Sequence, residues 1–93
     1  MKTKVIFRKF REGDVIALFP QLPGTNDPFT CSCYQHVGQH GSASVDLPRF
    51  TAKATRAESV PLARELRRIG YKLKIAHRVT RHDLEMRRAA IAR

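Results

Sequence analysis

Lys2–Phe10 (KTKVIFRKF) is rich in β-branched and aromatic residues, REGD follows with Gly13 free to take a positive φ, and Val15–Phe19 (VIALF) is continuously apolar. That pattern predicts a β-hairpin. Pro20, Pro23, Gly24, Asn26, Asp27 and Pro28 then crowd a short interval. Missing amide donors and turn preferences break a ladder there, so residues 20–28 read as a loop. Strand composition returns over Phe29–Val37 (FTCSCYQHV), and Gly38, Gly41, Ser42 and Ser44 loosen the chain beyond it. SVDLPRFTAKAT holds neither hydrophobic period and reads as a connector.

Leu62, Ala63, Leu66 and Ile69 recur at helical spacing with Arg64, Glu65, Arg67 and Arg68 on the other side, and Gly70 is placed to cap the end. This spacing predicts a helix over 59–69. Its start has two readings. Thr55 with Glu58 forms a capping box but puts Pro61 inside the helix, whereas Ser59 as N-cap puts Pro61 in the first turn, and an irregular first turn near Pro61 is expected. Tyr71–Val79 alternates, with Tyr71, Leu73, Ile75, His77 and Val79 on one face and Lys72, Lys74, Ala76 and Arg78 on the other, which predicts a strand. In the tail, Thr80 stands three residues before Asp83, ahead of helix formers in which Leu84, Ile91 and the alanines make a narrow apolar stripe. A short terminal helix is expected there.

The expected fold is α+β: an antiparallel sheet of about four strands in the order β-β-β-α-β, one helix on one face and the other face open to water. Residues 1–79 form the single domain and 80–93 a basic helical tail. At 93 residues a second core is not sustainable. The N-terminus lacks an apolar segment of signal-peptide length, and no apolar run approaches the roughly 20 residues of a membrane helix. A cytoplasmic location without membrane contact is the default expectation. The two cysteines agree with it, since an i, i+2 pair on a strand sits about 6.5–7 Å apart, at the limit for a disulfide.

Charge changes the picture. The net charge is +10, and residues 47–93 hold thirteen basic side chains against four acidic ones, while residues 1–46 hold five against four. Arg64, Arg67, Arg68, Lys72, Lys74, Arg78, Arg81, Arg87 and Arg88 are the candidate contacts to nucleic acid or another polyanion, with Arg93 adding to the tail. A second expectation is an interaction protein that inhibits or modifies a host factor, such as a defence component, through the open sheet face or a strand edge.

At ALFP (Ala17–Pro20), YQHVGQHG (Tyr34–Gly41) and ELRRIGYKL (Glu65–Leu73) the chain resembles a group of small proteins of no established activity encoded in bacterial phages and mobile elements, over most of residues 1–76. The resemblance implies a mobile-element accessory protein and assigns no role to particular residues. The helix of such relatives is often acidic, whereas here it is arginine-rich, so basic-ligand chemistry does not follow from the resemblance.

Both cysteines and two of the four histidines fall within Cys31–His40. Cys31, Cys33, His36 and His40 have the donor chemistry of a closed zinc site. Strand alternation opposes it, because it puts the cysteines on one face and the histidines on the other, and convergence needs a reversal for which Gly38 is the only aid. A helical reading of HVGQH lacks the glutamate of HExxH. The same histidines suit general acid and base roles in phosphodiester cleavage, but no third group to orient either one is identifiable. The expectation is a non-enzymatic protein without a cofactor, with zinc binding or histidine-dependent catalysis at residues 31–40 as the third alternative.

Overall fold

The computed structural model describes residues 2–93. The hairpin of β1 (Thr3–Lys9) and β2 (Val15–Pro23) forms as its sequence requires, with Ile6 opposite Leu18, Phe7 opposite Ala17 and Gly13 at a φ of 104° in the turn. β2 does not end at Phe19. It runs on through Pro20 to Pro23 with a register shift in between, the place in a ladder where prolines are tolerated.

β3 (Thr30–Gln35) pairs with β2 and turns back at His36–Gly38 into β4 (Gln39–Ser44), which the composition read as loosened chain. β5 (Ala52–Lys53) and the four-residue β6 (Leu73–Ala76) both pair with β1, end to end along the same side. The sheet therefore has six strands in the order β4-β3-β2-β1-β5, with β6 beside β1 and parallel to it. The protein is α+β, with more strands than expected and one parallel pairing. A 3-10 turn at Leu47–Arg49 precedes β5.

α1 (Arg56–Ile69) begins at Thr55, not Ser59. The Thr55 hydroxyl accepts from the Glu58 amide at 3.2 Å and the Glu58 carboxylate accepts from the Thr55 amide at 2.8 Å. Pro61 stands within the helix, where the hydrogen bond it forfeits would have gone to the Ala57 carbonyl. Ala57 and Pro61 are both exposed, so that carbonyl is within reach of water. Gly70 ends the helix at a φ of 124°, a conformation that favours glycine.

Alternation along β1 sends Val5 and Phe7 to the α1 side. There they pack with Ala17, Phe19, Tyr34, Leu62, Ala63, Leu66 and Leu73. Burial of an aliphatic side chain of this size contributes about 1.5–3 kcal/mol. Ile6, Ile16, Leu18, Cys31 and Cys33 line the opposite face.

That second face is not open to water. Phe10, Ala43, Val45, Leu47, Ala76 and Val79 flank it, and α2 (Arg81–Ile91) lies against β2. The buried residues of α2 are Asp83 and Arg87, not an apolar stripe. Asp83 accepts from Lys4 at 2.7 Å, Gln21 at 3.1 Å and the Thr80 amide at 2.8 Å. Arg87 donates to the carbonyls of Pro20 and Pro28. Residues 81–91 are thus docked on the sheet and not held out from it.

Candidate functional site

The nine candidate cations separate into three groups and one buried residue. Arg64, Arg67 and Arg68 are exposed on α1. Arg81 and Arg88 are exposed on α2, across the sheet, with Arg78 in the connector before it. Lys72 and Lys74 are exposed at β6, on the sheet edge between the two layers. Arg87 is 1% exposed and committed to two backbone carbonyls, so it is not a surface contact. The cations do not form one patch; they are spread over the two helix layers and the β6 edge.

What they share is the lack of an acidic neighbour. Among the described residues none of the eight exposed cations lies within 4.0 Å of a carboxylate. The acids of the same half are engaged elsewhere: Glu58 by Lys9, Asp83 by Lys4, Glu65 by His36, and Glu85 only distantly by His82. The Lys9 bond and two hydrogen bonds with Thr55 bring Glu58 down to about 2.

α1 is also polarised across its width. Glu58 and Glu65, seven residues apart, share the flank turned to Lys9 and the β3–β4 turn. Arg56, Val60, Ala63 and Arg67 form the opposite flank, the wall of a groove of about 760 Å³ whose far side is Ile75, Ala76 and His77. Lys53 closes it. Arg56, Lys53 and His77 were not among the residues expected at a site, although the i, i+4, i+7, i+11 spacing of Arg56, Val60, Ala63 and Arg67 was readable. Ile75, which alternation puts on one face with Leu73, is 49% exposed here, whereas Leu73 is buried.

The cysteines and histidines of residues 31–40 are not brought together. Cys31 and Cys33 lie in the α2-side core, where burial pushes the Cys31 thiol up to about 11. That leaves it protonated and a poor nucleophile or ligand at neutral pH. The histidines belong to the other face. His36 Nδ1 sits 2.7 Å from Glu65 Oε2, and His40 Nε2 sits 3.2 Å from the Tyr71 hydroxyl, with its ring edge-on to Tyr34 at 4.6 Å. Only His40 borders the hollow of about 550 Å³ formed with Thr3, Ile69, Gly70, Tyr71 and Lys72. Among the described residues no group of three or more His, Cys, Asp or Glu is placed to hold a metal ion.

Glu65 is what these residues serve. Its Oε1 accepts from the Tyr34 hydroxyl at 2.8 Å and from the Val37 amide at 2.9 Å, and the Tyr34 oxygen accepts from the Gly38 amide at 2.9 Å. Val37 has a φ of 66°, an uncommon conformation for a β-branched residue that the surrounding bonds must hold in place. Glu65 is held below the usual carboxylate range, first by the His36 bond and then by Tyr34, against a smaller opposing push from burial. A lowered folded pKa gives stability that is present above the ordinary carboxylate value and lost as pH falls through the folded one. The β3–β4 turn is therefore expected to loosen in acid below about pH 4. NMR shifts of the Val37 and Gly38 amides should move together over that range in the native chain, and Glu65→Gln should abolish the transition.

No family model, curated protein or solved structure matches the chain. Among the described residues no helix is long and apolar enough to cross a membrane.

Proposed function

We propose that this is a small cytoplasmic, non-enzymatic binding protein that engages nucleic acid through phosphate contacts from its basic C-terminal half. The observation that carries the reading is the set of eight exposed cations, Arg64, Arg67, Arg68, Lys72, Lys74, Arg78, Arg81 and Arg88, without a carboxylate within 4.0 Å among the described residues. Unpaired cations hold their full field toward solvent, whereas paired ones have already given it to a neighbour. Their spread over α1, α2 and the β6 edge suits a flexible or curved polyanion better than a flat docking site. The resemblance to proteins of phages and mobile elements is the ground for reading it as an accessory protein, while the choice of nucleic acid rests on the cations alone.

Titration of labelled DNA and RNA oligonucleotides between 50 and 200 mM salt tests the reading. About five phosphate contacts give a log–log slope of about −4.5 on duplex DNA, a loss of roughly 500-fold over that range. The pairs Arg64→Gln with Arg68→Gln on α1, and Arg81→Gln with Arg88→Gln on α2, should each reduce the slope by up to about 2. A native chain with no salt slope, or with a dissociation constant weaker than about 10⁻⁴ M at 50 mM salt, overturns it.

A further inference from the structure

We infer that the groove between α1 and the outer edge of β6 receives an extended acidic segment of a partner protein, which joins the sheet as a strand beside β6. This goes beyond phosphate binding, because it uses a strand edge and aliphatic walls that phosphate contacts do not need.

The first support is the free edge. Among the described residues β6 pairs only with β1, so its outer N–H and C=O groups are open to another strand. Such an edge presents donors and acceptors in alternation, which a peptide backbone matches and a phosphate, an acceptor only, does not.

The second support is the shape beside that edge. One stripe of α1 (Arg56, Val60, Ala63, Arg67) faces Ile75 and His77 across about 760 Å³. A helix alongside an open strand edge is the arrangement in which strand addition gains side-chain specificity, since alternate residues of the added strand enter the groove. Val60, Ala63 and Ile75 are aliphatic, and the one aromatic side chain of the phenylalanine, tyrosine or tryptophan type in the lining, Phe7, is 5% exposed. A small apolar side chain fits such walls, whereas stacking bases need an exposed aromatic platform.

The third support is charge. Lys53, Arg56, Arg67 and His77 border the groove, and no Asp or Glu is among its lining residues. Lys74 stands level with Lys4 in the parallel register and so faces the α2 side. An added strand would meet cations on both of its faces, and the complement is a segment in which acidic residues alternate with small apolar ones.

The experiment is an NMR titration of the full isotope-labelled chain with an acetylated ten-residue peptide alternating Glu and Val. Two controls accompany it: the same peptide with proline at alternate positions, which cannot pair, and the same length alternating Lys and Val. The expected result is movement of the Lys74–His77 amides together with Val60 and Arg67, at least tenfold weaker binding of both controls, and at least tenfold loss on Arg67→Glu. Val60→Asp, on a half-buried wall, gives a second loss should the first variant fold poorly. Equal affinity for the proline control, or peptide shifts confined to the outer faces of α1 and α2, overturns the proposal. So does a single-stranded oligonucleotide that moves the β6 amides and excludes the peptide. An oligonucleotide that binds only the outer helix faces, with no peptide binding at β6, defeats this proposal and leaves the phosphate-binding reading standing.

Discussion

Replacing Asp83 by alanine is expected to cost about 3–5 kcal/mol of folding stability, the range for removing one partner of a buried charge pair. Asp83 is fully buried and holds Lys4, Gln21 and its own helix cap at Thr80. Its removal leaves Lys4 with an uncompensated charge and strips the α2 capping box of its carboxylate half, the bond from the Thr80 amide, while the Thr80 hydroxyl still accepts from the residue 83 amide. The Lys4 side chain keeps 13% exposure, so it can turn partly toward water, which sets the cost near the lower end. Asp83→Asn keeps an oxygen for the cap but not the compensating charge, and should recover only part of the loss. Acid should act in the same direction. Burial pushes the Asp83 carboxyl up, but Lys4, the Thr80 amide and Gln21 together outweigh it and leave it below its ordinary value. The stability is present above the ordinary carboxylate pKa and fades as pH falls through the folded one. Denaturant unfolding of Asp83→Ala within about 1 kcal/mol of the parent would show that α2 is not anchored in this way.

That anchor marks the limit of what was legible in the sequence. The β1–β2 hairpin, α1 and the Thr80–Asp83 capping box were readable, because each rests on residues close in sequence whose spacing is itself the signal. The docking of α2 was not. Its inward side chains are an aspartate and an arginine, so its periodicity reads as polar, and their partners lie 79 and 59 residues away. β4 was hidden for a related reason. Gln39–Ser44 has no strand propensity of its own and forms by pairing with β3, a case of tertiary context overriding propensity. At the site, the identity of most surface cations followed from composition, while the fate of Arg87 and the role of Glu65 as the clasp of a turn depended on contacts no local pattern encodes. Pro20 and Pro28 punctuate the chain and read as breakers, yet their carbonyls are what Arg87 requires.

Arg87 and Arg88 are expected to behave oppositely despite being neighbours. Arg87→Ala should cost about 3–5 kcal/mol, because hydrogen bonds made by a charged group contribute about 1.5–3 kcal/mol each and a large buried side chain leaves a void. The carbonyls of Pro20 and Pro28 would lose their donor. Arg87→Lys, with a point charge in place of a planar fork, should restore only part of this. Arg88→Gln, on an exposed side chain without a carboxylate within 4.0 Å, should leave stability within about 0.5 kcal/mol and reduce the salt slope of oligonucleotide binding by up to about 1. Thermal unfolding and binding on the same preparations separate the two effects. Asp83 and Arg87 act through one event, the seating of α2, so Asp83→Ala and Arg87→Ala combined should cost clearly less than their sum. Full additivity would mean that the two residues stabilise the sheet independently, and that α2 is not a single docked unit.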